Sequence, residues 1–261
     1  ELENLNICKT QIQELPITFI KLKTLDISQT SITTIPNYPE LVKLYCNYSK
    51  IKELNNNLIN IEILSIHSCI YLKCDPIPPT YIKLKYLYAS DNWDIMIDFS
   101  KLKQLESLVI SRSTVTKYLD SLENLSYLCI DEIKNSDTNF LRGSYPKLKR
   151  LSMVASSVRK LPTGLIKLES LYAYFSKLEE LPPDMLSLKY LYIENTGITK
   201  LPNSYKNHKF TYISMDNQDE EENEVVNFHD DSPKITTVCN CNNRTTKSRF
   251  FQKLKQILSI F

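Results

Sequence analysis

Residues 148–167 read LKRLSMVASSVRKLPTGLIK, residues 168–187 read LESLYAYFSKLEELPPDMLS, and residues 188–207 read LKYLYIENTGITKLPNSYKN. Each stretch opens with apolar residues at its first, fourth and sixth positions: Leu148, Leu151 and Met153, then Leu168, Leu171 and Ala173, then Leu188, Leu191 and Ile193. Each then reaches a Leu-Pro pair at one offset: Leu161-Pro162, Leu181-Pro182 and Leu201-Pro202. Outward from this triplet the same opening returns at Leu2, Leu22, Leu41, Ile61, Leu84, Leu105, Leu125 and Phe210, so the chain holds eleven units that start 19 to 23 residues apart. Leu15-Pro16 and Ile35-Pro36 extend the proline pattern to the first two. Self-similarity at such a period marks a stack of supersecondary units. Apolar residues at the fourth and sixth positions, with polar ones between, have the period of a strand with one buried face. One unit cannot bury that face alone and must stack on its neighbours. The spacing predicts one parallel sheet of strands centred on Leu5, Leu25, Leu44, Leu64, Leu87, Leu108, Leu128, Leu151, Leu171, Leu191 and Ile213.

At these residues the chain resembles the leucine-rich repeat family, from Leu2 to about Asn217. The resemblance implies an α/β solenoid over residues 1–218. Strands would line the concave side of a horseshoe, with irregular or short helical turns on the convex side. At the usual strand spacing, eleven repeats span an arc of roughly 50 Å. The family often has Asn at the ninth position, where its side chain bonds the turn backbone. Here that position holds Thr10, Thr30, Ser49, Cys69, Asn92, Ser113, Ser156, Ser176, Thr196 and Gln218. Hydroxyls make similar local bonds, so a weaker ladder is expected. The unit from Leu125 departs, with Ile133 at the ninth position and a long connection from Asn135 to Pro146 that predicts a protruding loop around Gly143. A second long unit spans Ile61 to Tyr81, with Pro76, Pro78 and Pro79.

Beyond the repeats, residues 219–243 begin with an acidic run, Asp219, Glu220, Glu221, Glu222 and Glu224, which reads as a solvated linker. Residues 244–261 are basic, and Phe250, Phe251, Leu254, Ile257, Leu258 and Phe261 share one side of a helical wheel. The segment predicts an amphipathic C-terminal helix. It either caps the last repeat or, through residues 248–261, touches a membrane or partner. The chain opens on Glu1 rather than Met, which allows for a preceding N-terminal segment, signal peptide or cap.

The net charge of +2 gives no global pull toward nucleic acid or a membrane. Three glycines are too few to organise a phosphate-cradling loop. The seven cysteines, at 8, 46, 69, 74, 129, 239 and 241, form neither a dense disulfide framework nor paired zinc doublets. They read as small apolar residues in a reducing, intracellular and cytoplasmic setting. Cys239 and Cys241 lack the downstream cysteines of extracellular repeat caps, and His229 and Asp230 are the nearest further metal donors. His67 and His208 read as ordinary surface residues. The triplets at Asn47, Asn124 and Asn243 matter as glycosylation acceptors only in a secreted protein. No catalytic residues, cofactor or metal are expected.

Function should then lie on the outward strand positions, the third, fifth, seventh and eighth of each unit. Tyr45, Tyr48, Tyr86, Tyr88, Tyr127, Tyr172, Tyr174, Tyr190, Tyr192 and Tyr212 occupy them, joined by Phe175. Ten of the 16 tyrosines fall on these 44 positions, almost four times the share that even placement gives. Tyrosine's own strand preference accounts for part of that excess. Exposed tyrosines offer rigid contact area with a hydrogen-bonding tip, the chemistry of binding hot spots. They cluster in repeats three to five and nine to eleven, while the first two repeats present Asn4, Asn6, Thr24, Asp26, Ser28 and Gln29. Asp91, Asp131, Glu132, Glu194 and Asp216 flank them, against Lys9, Lys43, Arg112 and Arg150. An aromatic, mildly acidic face predicts a protein or peptide partner with some positive charge, and not nucleic acid. The chain therefore reads as a non-catalytic protein-interaction scaffold, with a structural or membrane-peripheral role through its C-terminal helix as the alternative.

Overall fold

The computed structural model describes residues 2–72, 76–92, 97–113, 119, 122–134 and 140–215. The chain separates into two compact units, Glu1–Ser214 and Met215–Phe261. Apart from Met215 the second lies outside the described residues, and with it the linker over 219–243 and the helix expected over 244–261.

Eleven three-residue strands form the first unit: β1 (Asn4–Asn6), β2 (Thr24–Asp26), β3 (Lys43–Tyr45), β4 (Ile63–Ser65), β5 (Tyr86–Tyr88), β6 (Ser107–Val109), β7 (Tyr127–Cys129), β8 (Arg150–Ser152), β9 (Ser170–Tyr172), β10 (Tyr190–Tyr192) and β11 (Tyr212–Ser214). They lie in one sheet in strict chain order, and the register Leu5↔Leu25, Leu128↔Leu151 and Leu191↔Ile213 puts every predicted centre on its strand. All ten pairings are parallel.

The α/β description needs correction. Among the described residues there is no α-helix, and the connections hold only two single 3-10 turns, Phe99–Lys101 and Asn203–Tyr205. In five of the units the Leu-Pro or Ile-Pro pair gives a reason. A proline bars the helical region to the residue before it, and each such pair sits midway through a connection that a helix would have to fill. The unit is an all-β solenoid. The loop expected to protrude around Gly143 is also corrected in part. Residues 135–139 lie outside the described residues, but Phe140, Leu141 and Tyr145 are packed into the core, and only Arg142, Gly143 and Ser144 stand exposed.

Behind the sheet the first, fourth and sixth positions of repeats two to ten are buried, as in Leu168, Leu171 and Ala173. Two further layers complete the core. Ile32, Ile51, Val158 and Leu178, all at the eleventh position, are fully buried. So are Tyr38, Tyr81 and Tyr145, three residues before a unit starts, and the Tyr38 and Tyr81 hydroxyls donate to the carbonyls of Pro16 and Asn55 one repeat back. Buried hydroxyls find partners in this way rather than lie orphaned.

Each of β1 to β10 leaves the sheet through one left-handed residue at the eighth position of its unit. Lys9, Gln29, Tyr48, Ser68, Asp91, Arg112, Glu132, Ala155, Phe175 and Asn195 have φ between 50° and 59°, and none is glycine. This backbone is disfavoured for L-residues. It is held because its N–H bonds the following repeat, as Lys9 N–H donates to Ser28 O at 3.0 Å and Phe175 N–H to Glu194 O at 2.9 Å. The ninth position then supplies the expected ladder. Thr10, Thr30 and Thr196 hydroxyls donate to the carbonyls of Ile7, Ile27 and Ile193 at 2.7 to 2.8 Å. The amide of Asn92 reaches the carbonyls of Ile66, Ala89 and Ser90, while its oxygen accepts from Cys69 N–H. The rung fails beside Ile133, where the buried Ser156 hydroxyl has no partner.

Candidate functional site

The sheet's outward face is built from strand positions three and five and turn positions seven and eight. On β9, β10 and β11 the backbone register brings tyrosines into ring contact. The rings of Tyr172 and Tyr192 stack at 4.9 Å with 14° between planes, because adjacent strands in register carry them side by side. Tyr212 lies 4.8 Å from Tyr192, and Tyr174 5.2 Å from it. Such offset pairs add stability beyond their burial. Packing in the slab also shifts two of its phenols upward. Burial, and then the neighbouring Tyr172 and Tyr212 hydroxyls, push Tyr192 up to about 12, and burial first raises Tyr174 as well. Phe175 and Tyr190 stand exposed at its margins.

The other predicted cluster is not one slab. Tyr45 on β3 and Tyr88 on β5 are separated by Ser65 on β4, which is buried between them, so their rings are two strands apart. Burial comes first in raising the Tyr45 phenol. The Tyr86 hydroxyl donates to Glu106 at 3.2 Å. Tyr127 on β7 is half-buried, and burial raises its phenol too. Between the aromatic groups several outward positions are small and buried: Ser107, Ser111, Cys129, Ser152 and Val154.

The sequence marks His67 only as an ordinary surface residue, whereas the structure places it in a polar network across the repeats. Its Nε2 lies 2.7 Å from the Tyr48 hydroxyl and 3.1 Å from Asp91 Oδ2, and the two rings meet edge to face at 4.8 Å. Asp91 in turn takes a two-pronged contact from Arg112, which also reaches Glu132 at 3.3 Å. The line runs Tyr48, His67, Asp91, Arg112, Glu132, from repeat three to repeat seven. Arg112 holds Asp91 below the usual carboxylate range, and burial holds His67 below the usual imidazole range. Of the acids counted toward an acidic face, Asp91 and Glu132 thus share the single Arg112 cation, which offsets one of their two charges.

Asp131 sits at a seventh position, where its Oδ1 accepts from the Ser152 hydroxyl at 2.6 Å and Val154 N–H at 2.8 Å. Burial, the first cause, pushes its carboxyl up. Asn47 occupies the same position four repeats earlier and accepts the matching pair, from the Ser65 hydroxyl at 2.6 Å and His67 N–H at 2.9 Å. Asp216 lies outside the described residues, as do Cys239, Cys241, His229 and Asp230. Among the described residues no three His, Cys, Asp or Glu side chains gather as a metal site would need. Cys46, Cys69 and Cys129 are buried free thiols, Cys46 behind the sheet and Cys129 at an outward strand position.

No family model and no curated protein matches the chain. Solved structures do. An internalin from Listeria monocytogenes superposes with a TM-score of 0.60 at 17% identity, over 82% of this chain and 75% of that one. YopM from Yersinia pestis, a leucine-rich effector protein, gives a TM-score of 0.62 at 19% identity, over 83% and 66%. A plant peptide hormone receptor, RGFR1, gives 0.60 at 18% identity, and 82% of this chain covers 40% of that receptor. Taken with eleven in-register parallel strands, one per 20-residue unit, these likenesses identify the fold. The chain is a solenoid of the leucine-rich repeat fold.

Proposed function

We propose that this chain is a non-catalytic interaction scaffold that recognises a protein or peptide partner through the outward face of its sheet, with the stacked tyrosines of β9 to β11 as the anchor. The observation that carries the reading is the contact of Tyr172, Tyr174 and Tyr212 with Tyr192 on the face of the sheet opposite the apolar core. The apolar core lies on the other side of the sheet, so these rings are spent on a surface. Rings already locked against one another lose little rotamer freedom on binding. Tyr45, Tyr48, Tyr86, Tyr88, Tyr127, Phe175 and Tyr190 extend the surface along the remaining repeats. The plant receptor was solved in complex with RGF2, an instance of the same fold engaging a ligand. Glu194 beside the slab favours a partner segment with some positive charge. The free thiols buried at Cys46, Cys69 and Cys129 support an intracellular location.

The test selects random displayed peptides on the intact protein and measures their affinity for two double variants. Tyr172→Ala with Tyr192→Ala removes the ring stack and should cost on the order of 1–3 kcal/mol in stability while leaving the chain folded, and it should weaken binding about thirtyfold. Asn6→Ala with Ser28→Ala, on the polar first repeats, should weaken it little. Selected ligands that bind both double variants as they bind the parent would place recognition elsewhere.

A further inference from the structure

Two residues before each unit starts, the connection turns back toward the sheet and exposes one side chain. Ile20, Ile59, Ile82, Ile166 and Leu186 all occupy this position, each between 52% and 60% exposed. Around the first three, charge is balanced by ion pairs between neighbouring repeats: Lys21 with Glu40, Lys23 with Glu3 and Lys85 with Glu62. Around the last two, the balance fails. Lys149, Lys167, Lys189 and Lys209 surround one open depression beside Leu186, with Glu169 as the single carboxylate among its lining residues. Glu169 is committed to Lys189 at 3.0 Å, and the lysines hold it below the usual carboxylate range. Ile166 belongs to the same surface, since its carbonyl accepts the Ser187 hydroxyl one repeat on.

We infer that this edge of repeats eight to ten is a docking site for an anionic lipid surface, with Ile166 and Leu186 entering the headgroup layer and the lysines pairing with its charge. The excess of cations is complementary to negative charge and unsuited to the basic partner assigned to the sheet face. Leu186 lines the shallow, open depression and Ile166 projects from the equivalent exposed turn one repeat before, so both aliphatic chains reach outward from a cationic surface, an arrangement suited to insertion into a fluid anionic layer. Peripheral binding of this kind combines a small buried apolar area with electrostatic attraction to acidic lipids. The site is separate from the tyrosine face and does not depend on it.

The test is co-sedimentation of the full chain with vesicles of phosphatidylcholine alone and with about 30% phosphatidylserine, the anionic fraction supplying the surface charge. Binding should require the anionic lipid and weaken as salt rises. Lys149→Ala with Lys167→Ala and Lys209→Ala should lower the partition coefficient on the order of a hundredfold. Ile166→Ser with Leu186→Ser should lower it as well, while Ile59→Ser with Ile82→Ser, at the same turn position in charge-balanced repeats, should not. These side chains are exposed, and unchanged melting temperatures exclude misfolding as the cause. A parent chain that ignores anionic vesicles overturns the inference. So does a chain whose binding survives both sets of substitutions, or whose lysine edge binds an acidic polypeptide and not the vesicles.

Discussion

At the scale of single residues, the same turn position is filled by Asn47 and by Asp131 with matching hydrogen bonds, which makes the chain its own control. Asn47 accepts its hydroxyl and N–H donors as a neutral amide, whereas Asp131 does so as a group that burial disfavours when charged. A carboxyl whose folded pKa is raised above its unfolded value of about 3.9 is most compatible with the fold below that value, and the compatibility is lost as pH rises through the folded pKa. Asp131→Asn should therefore be more stable than the parent at neutral pH, with the difference closing below about pH 4. Urea denaturation at both ends of that range measures it. A variant no better than the parent at neutral pH would mean that the two donors more than offset the burial of the charge. His67 teaches a related point. Nothing near it in sequence marks it, because Tyr48 is 19 residues before it and its carboxylate partner Asp91 lies in the following repeat. Only the stacking of repeats brings the three together.

At the scale of strands and turns, legibility followed burial. A strand with one face buried repeats with a period of two, and the first, fourth and sixth positions of every unit carry that period, so all eleven centres could be read directly. The left-handed turn residues were not legible. Their usual mark is glycine or asparagine, and nine of the ten positions hold neither. Here the bonds to the next repeat impose the conformation, not the residue's own preference. The eleventh-position layer was missed for a different reason, since an isolated apolar residue in a connection carries no periodicity. Leu178 nevertheless has the same complete burial as Leu171 at a strand centre. Leu178→Ala and Leu171→Ala should thus each cost about 2–5 kcal/mol in chemical denaturation. A near-neutral Leu178→Ala would show that the connection collapses onto the gap, making that layer softer than the strand layer. The tyrosine face was half legible: its positions could be assigned from the unit alone, but which rings touch depended on Ser65 interrupting one cluster and nothing interrupting the other.

For the first unit as a whole, the strand order is strictly sequential, so strand pairing ties each repeat only to the one before and the one after it. Stability in such an array is a sum of unit and neighbour terms. Those terms are uneven here. Alternating charges link Glu3 to Lys23, Glu62 to Lys85 and Glu169 to Lys189 at the second position of successive units. The junction of repeats seven and eight has Ser126 at that position, Ile133 in place of a polar rung, and the unpartnered Ser156 facing it. Sequential order has a mechanical consequence. Tension on the two ends of this unit acts on one junction at a time, because no strand bridges past its neighbour to share the load. Stretched in an optical trap, the solenoid should lengthen in steps of about 70 Å, the extended length of roughly 20 residues, with weak junctions yielding at lower force. A single rupture releasing all eleven strands together would mean that the repeats are bound more cooperatively than their pairing shows. Stepwise yielding would make the molecule a spring whose length reports the load it carries.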